Sequence, residues 1–347
     1  MKDLKSMSLE ELRTELVQAG YPSFRAQQLY RWMHVQLAQS LDEMTNLPKN
    51  MKDMLAEKYG YRGTRLVTRQ ISEKDGTQKF LFSMQDGALV ESVFMKYKFG
   101  NSVCISSQVG CRMGCAFCAS TLNGLERNLL PSEMLEQIYS IHRITGEKIS
   151  HVVVMGTGEP MDNYDNLVRF LRMLTDKNGQ NLGQRNITVS TCGIVPGIRK
   201  LAEEGLSVNL ALSLHAPTDE QRGRIMPVAK AYSIAELTEA CREYYKKTGR
   251  QITFEYSLIR GVNDSAGDAE NLAALAGPLK AYVNLIPVNP VTETGFVKPD
   301  RNAVLEFKDK LEKRGINASI RRVLGQDIDG ACGQLRHRRI SSCSETS

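Results

Sequence analysis

The sequence predicts an α/β protein, a (partial) β/α barrel preceded by a small helical domain. Three observations carry that reading. The first sixty or so residues show helical periodicity alone; from about residue 100, short β-branched runs alternate with amphipathic segments; and the alternation continues almost to the end of a chain of 347 residues, long enough for one large domain and an appendage.

In chain order, Ser8-Leu9-Glu10-Glu11 reads as a capping box before the apolar positions Leu12, Leu16 and Val17. A second helix is expected after Pro22-Ser23, with Leu29, Trp32 and Met33 on one face. Residues 1–75 are therefore assigned to a helical accessory domain. The stretch KFLFSMQDGALVESVFMKYK alternates in period two around Asp86-Gly87, a hairpin signal, and 76–100 forms a hairpin extension. VCIS, HVVVMG, NITVST, VNLALSLH, QITFEYSLI, YVNLIPV and ASIRRV then read as strands, with PSEMLEQIYSIHRI and SIAELTEACREYYKKT among the helices between them, so 101–325 is the barrel core. A doubly wound open sheet is the alternative. In a barrel the chemistry belongs at the C-terminal ends of the strands. The remainder, 326–347, is read as a loop around Cys332, flanked by Gly330 and Gly333 and expected to be flexible, followed by the basic run Arg336, His337, Arg338 and Arg339.

The composition, 41% hydrophobic and 24% charged, is that of a globular protein, and no long apolar run suggests a signal peptide or a membrane span, so a cytoplasmic location is expected. In a reducing compartment the eight cysteines are read as metal ligands or redox groups rather than structural disulfides. Cys192, Cys241 and Cys343 read as ordinary thiols. A net charge of +6 is compatible with a polyanionic partner without requiring one.

The sharpest motif is GCRMGCAFCAS, which places Cys111, Cys115 and Cys118 as C-x3-C-x2-C directly after the first barrel strand. A structural zinc site wants four ligands, and His142, the nearest histidine, is not at a ligand spacing. Three thiolates can instead hold a [4Fe-4S] cluster and leave one iron open to a chelating small molecule such as S-adenosylmethionine. C-x3-C-x2-C after the first strand of a β/α barrel, with Phe117 before the last cysteine, resembles the radical S-adenosylmethionine superfamily. The resemblance makes MGTGEP the element that binds the methionyl amino group through Gly158 and Glu159. It extends the cofactor rim to polar strand ends: Ser190 in TVST, Ser213, Leu214 and His215 in LSLHAP, and Asn289 in LIPVNP.

Within that superfamily, VCISSQVGCRMGCAFC together with GQDIDGACGQL, and with MGTGEP, SLHAP, RGVND and LIPVNP between them, resembles the RNA adenine methyltransferases of RlmN and Cfr type; the helical start is similar to that family's accessory domain. The resemblance implies two S-adenosylmethionine molecules per turnover. Cys332 would take a methyl group from one; the second, cleaved to a 5′-deoxyadenosyl radical at the cluster, would activate the S-methyl group for addition to an adenine. Cys104 would then resolve the protein–RNA crosslink through a transient disulfide with Cys332, and Glu91 would accept the ring proton. It further implies 23S rRNA and tRNA as substrates, an electron donor such as flavodoxin or ferredoxin, no membrane partner, a monomer, and phosphate contacts from Arg336 and its neighbours. Pro160 after Glu159 resembles the RlmN branch, which acts on carbon 2, rather than the Cfr branch, which acts on carbon 8. The rival classes are a non-catalytic iron–sulfur or zinc protein that binds RNA and a different radical enzyme such as an activase; neither accounts for the pairing of Cys104 with DIDGACGQL.

Overall fold

The computed structural model describes residues 1–289, 295–328, 333–336 and 339. The chain opens with β1 (Lys2–Asp3) and three helices, α1 (Leu9–Gln18), α2 (Phe24–His34) and α3 (Lys49–Lys58), and β2 (Tyr59–Gly60) pairs in parallel with β1. The expected capping box starts α1: the Ser8 hydroxyl accepts from the Glu11 amide at 3.2 Å, and the Glu11 carboxylate accepts from the Ser8 amide at 2.8 Å. Leu12 and Leu16 of α1, Leu29 and Met33 of α2 and Leu55 of α3 are buried in a hydrophobic cluster of their own.

An antiparallel meander follows, β3 (Arg65–Ile71), β4 (Gln78–Ser83), β5 (Leu89–Tyr97) and β6 (Gly100–Ile105), with the β4–β5 turn at Asp86-Gly87, where Gly87 takes a φ of +88°. β3 thus lies within the stretch assigned to the helical domain, yet it pairs with β4 as the outer strand of the main sheet. Its alternating but half-exposed residues carry no helical stripe, so the helical unit ends near Gly60. A short ribbon, β7 (Gln108–Gly110) with β8 (Leu125–Asn128), brackets the cysteine motif.

The rest alternates: α4 (Pro131–Thr145), β9 (His151–Val154), α5 (Tyr164–Leu174), β10 (Ile187–Thr191), α6 (Val195–Glu203), β11 (Asn209–Ser213), α7 (Asp219–Ile225), α8 (Ile234–Thr248), β12 (Ile252–Leu258), α9 (Ala266–Ala276), β13 (Tyr282–Pro287), α10 (Arg301–Glu312) and β14 (Ala318–Ile320). Local chemistry sets the helix boundaries. Pro131 opens α4 and a left-handed Gly146 ends it, while Ser233 with Glu236 and a left-handed Gly249 do the same for α8.

The sheet has ten strands in the order β14-β13-β12-β11-β10-β9-β6-β5-β4-β3, with β6 and β9 to β14 all parallel. Each new parallel strand adds to the same edge. A doubly wound sheet would reverse direction at a switch point; this sheet winds one way and is an incomplete barrel. Among the described residues β14 and β3 do not pair, but the sheet curls far enough for residues of β5, β6, β13 and the end of β14 to line one cavity. The helical unit docks on α4 through buried polar contacts: Lys5 Nζ to Glu136 Oε1 at 2.6 Å, and His34 Nδ1 to the Tyr139 hydroxyl at 2.9 Å. No helix among the described residues is long and apolar enough to cross a membrane.

Candidate active site

The C-terminal ends of the parallel strands carry two cavities. The first, about 160 Å³, is lined by Cys111, Cys115 and Cys118 after β6, Gly156, Gly158 and Glu159 after β9, Ser190 and Cys192 at the end of β10, and Ser213 and His215 at the end of β11. The barrel winding makes consecutive strand ends neighbours, so motifs far apart in sequence converge without any long excursion of the chain. Among the described residues no three His, Cys, Asp or Glu converge tightly enough for a single ion. Three thiols spread around one cavity suit a cluster that takes each on a different iron. Burial pushes the Cys111 thiol up to about 12 and raises that of Cys115 as well. Both are therefore neutral until a bound cation reverses the preference.

MGTGEP is held close to the cysteine loop. A Cβ on Gly158, whose φ is +107°, would stand 2.6 Å from the Gln108 Cβ, so only glycine fits there. Glu159 is almost fully buried; its Oε1 accepts from the Met161 amide at 3.0 Å, its Oε2 from the Cys192 amide at 2.7 Å, and burial raises its pKa. That leaves a carboxylate, fixed by two amides, at the wall of the cavity, suited to an ammonium ligand. The Ser190 and Ser213 hydroxyls stand 3.3 Å apart on adjacent strands.

His215 sits in the left-handed region (φ +57°), with its ring edge-on to Phe117 at 4.9 Å. Its Nδ1 accepts from the Ser257 amide at 2.9 Å, and burial, reinforced by the charge of Arg222, brings its pKa down to about 3. The ring is therefore neutral with its proton on Nε2, a fixed donor rather than a cation.

The second cavity is larger, about 510 Å³, and more basic. Cys104, Val93 and Met95 line it from β6 and β5, Arg321 and Arg322 from the end of β14, and Asn289, Lys298 and Gln334 from segments outside the strands. Two expected cofactor positions thus depart from the first cavity. Asn289 lines the second cavity, and the Leu214 side chain is fully buried in the barrel core, with its carbonyl taken by Arg222. Strand alternation explains Leu214: it follows Ser213, which faces the cavity, and so faces the opposite way.

Cys332 lies outside the described residues, but both flanks of its loop are anchored. Upstream, the Asp327 carboxylate accepts from the Ser72 hydroxyl at 2.6 Å and the Glu73 amide at 2.9 Å, and Gly325 N–H donates to Asp75 at 2.9 Å. Downstream, the Glu91 carboxylate accepts from the amides of Gly333 at 2.7 Å and Arg336 at 2.5 Å, while Lys79 Nζ, itself fully buried, stands 3.0 Å away. Gly333, with φ +81°, packs so closely on the cysteine loop that a Cβ would stand 2.8 Å from the Ser120 nitrogen. Its next neighbour, Gln334, lines the cavity of Cys104.

The described flanks of the loop are thus both tied to the barrel, and the residues between them, on which the expected flexibility turns, lie outside the described residues. Arg336, expected to contact phosphate, is buried instead: its guanidinium donates to the Leu89 carbonyl at 2.9 Å and pairs with Glu126. With its charge met inside the protein it is a tail anchor. His337 and Arg338 lie outside the described residues, and Arg339 is exposed.

Sequence reasoning missed Cys192, which was taken for an ordinary thiol, and Lys298, Arg321 and Arg322. The Arg-Arg pair at the end of the last strand was a visible signal, being a charged pair at a C-terminal strand end. Cys192 had none beyond its place after TVST. Cys241 is buried in the core, as a structural thiol would be, and Cys343 lies outside the described residues.

Comparison with known proteins agrees with this geometry. Residues 105–273 match the radical SAM superfamily model, and residues 2–59 match the ribosomal RNA large subunit methyltransferase N-terminal domain. The chain is 55% identical over 346 residues, 100% of its own length and 99% of the relative's, to a probable dual-specificity RNA methyltransferase RlmN of Lachnospira eligens. It is also 55% identical to a relative of the same description in Lachnoclostridium phytofermentans, covering 96% of this chain and 94% of that one. A crystal structure of a radical SAM methyltransferase from Sphaerobacter thermophilus superposes with a TM-score of 0.92 at 43% identity, over 96% of this chain and 99% of that one. The chain therefore belongs to the RlmN family of radical S-adenosylmethionine RNA methyltransferases, which use a [4Fe-4S] cluster and S-adenosylmethionine.

Proposed function

We propose that this protein methylates carbon 2 of an adenosine in 23S rRNA, and of an adenosine in tRNA, by a methyl relay through Cys332. The observation that carries the reading is the placement of Gly333. One residue from Cys332, it packs on Ser120 of the cysteine loop, while Gln334 beside it lines the cavity of Cys104. The described residues that follow Cys332 thus reach from the cysteine loop to the cavity of Cys104, which supports a relay between the two cavities through this segment.

In this reading Cys111, Cys115 and Cys118 hold the cluster, Glu159 takes the ammonium group of S-adenosylmethionine, and Ser190, Ser213 and the Nε2–H of His215 complete the rim. The cluster, when bound, supplies the single electron that cleaves the sulfonium bond, with flavodoxin or ferredoxin as its donor. Cys332 carries the methyl group as a thioether. The larger cavity, which Cys104 also lines, admits the flipped-out adenine, with Lys298, Arg321 and Arg322 at its wall toward the phosphates, and Cys104 attacks the sulfur of Cys332 once the base is joined to it. Glu91 accepts the ring proton. The same carboxylate holds the amides of Gly333 and Arg336, so the residue assigned as base also ties the segment after Cys332 to β5.

The test is nucleoside mass spectrometry of rRNA treated with the reconstituted enzyme. The expected product is 2-methyladenosine, absent with Cys332→Ala although that variant keeps its iron. 8-Methyladenosine alone, or undiminished methylation by Cys332→Ala, would overturn the reading.

A further inference from the structure

Arg222 is a cation that the chemistry above does not use. It lies on α7, fully buried beneath the cysteine loop, whose Ala116 amide donates to the Ile225 carbonyl of the same helix at 2.9 Å. Its Nε donates to the Leu214 carbonyl at 3.2 Å and one Nη to the Cys192 carbonyl. The other Nη is buried and has no hydrogen-bond partner among the described residues. A guanidinium held only by carbonyls is costly to bury.

The Cys192 carbonyl that Arg222 holds and Met226, one turn further along from it, stand at the wall of the first cavity, and the carboxylate of Asp219 on the same helix accepts from the Ile234 amide. Cys115 and Cys192 both line the first cavity. Three thiolates outweigh the positive charge of an oxidised cubane core, and one-electron reduction deepens that excess.

We propose that Arg222 is the buried counter-charge of the cluster held by Cys111, Cys115 and Cys118, and that it makes the cluster easier to reduce. It is a positioning residue that acts through the field it places on the cluster. The step it governs is the transfer of one electron from an external one-electron donor to the cluster, with no bond made or broken in the protein. The inference rests on the three cysteines being the cluster ligands.

The test reconstitutes the wild type, Arg222→Met and Arg222→Lys, measures iron per chain, and follows a dithionite titration by electron paramagnetic resonance. At fixed potential the ratio of reduced to oxidised cluster in Arg222→Met should fall roughly tenfold, about 59 mV for a one-electron couple, while Arg222→Lys stays near wild type. Loss of iron from Arg222→Met with iron and midpoint retained in Arg222→Lys also supports the proposal, since the charge alone then decides retention. An unchanged midpoint in iron-loaded Arg222→Met, or an Arg222→Lys variant as impaired as Arg222→Met, overturns it. Failure of the underlying ligand assignment shows separately, as Cys115→Ser protein that still binds a full cluster.

Discussion

The two cavities at the top of the barrel differ in how they are built. The cluster cavity takes its cysteines from eight consecutive residues and its rim from successive strand ends, so each part follows directly from a local motif. The cavity of Cys104 joins residue 77 to residue 334, and exists only because the sheet curls until β5 and β6 face β13 and β14. One site is specified by spacing, the other by closure of the fold. The second should therefore be the more sensitive to substitutions that loosen tertiary ties.

The largest such effect is expected at Glu91. Glu91→Gln removes the carboxylate from the buried Lys79 ion pair and weakens the acceptor for two tail amides, and breaking a buried pair costs about 3–5 kcal/mol. Denaturant unfolding should show this loss, and hydrogen exchange at residues 333–336 should accelerate while iron binding is kept. A Glu91→Gln variant with wild-type exchange in the tail would remove the tether from the account.

Acid should act elsewhere. His215 at the cluster cavity and His34 at the helical dock both have pKa values lowered to about 3, in each case first by burial. In the unfolded chain they titrate near 6.5, so below that pH the unfolded state binds more protons; the stability they contribute is complete above about pH 6.5 and is lost as pH falls toward 3. At about pH 5.5 each should cost on the order of 1 kcal/mol relative to neutral pH. Urea unfolding at the two pH values checks this, with His34→Phe expected to lose about half of the acid sensitivity. An equal acid loss in that variant would contradict the assignment.

The smallest effect belongs to Arg322, an exposed residue at the wall of the second cavity. Arg322→Ala should weaken RNA binding severalfold, irrespective of sequence, and reduce the slope of log affinity against log salt by about one. A loss confined to one RNA sequence would mark it as a base-reading residue instead.

Much of this was legible in the sequence. The strand runs, the Asp86-Gly87 turn, the Ser8–Glu11 cap and the cysteine spacing depend on contacts within a few residues, and each lies where local chemistry put it. What was not legible depends on distant partners. Arg336 looked like a solvated basic residue because nothing near it in sequence reveals Glu126 and the Leu89 carbonyl, and nothing in the local sequence shows that Asp327 and Gly333 find Ser72 and Glu91 across the fold. Leu214 shows the reverse case, where strand alternation was available and would have turned its side chain away from the first cavity.

The most direct test of the link between the two cavities is to react Cys104→Ala protein with substrate RNA and look for covalent protein–RNA adduct by denaturing gel and mass spectrometry, with Cys115→Ala as the cluster-cavity control. The account predicts an iron-loaded Cys104→Ala protein that accumulates an adduct through Cys332, and no adduct from Cys115→Ala. Release of methylated RNA by Cys104→Ala at the wild-type rate, with no adduct, would contradict it.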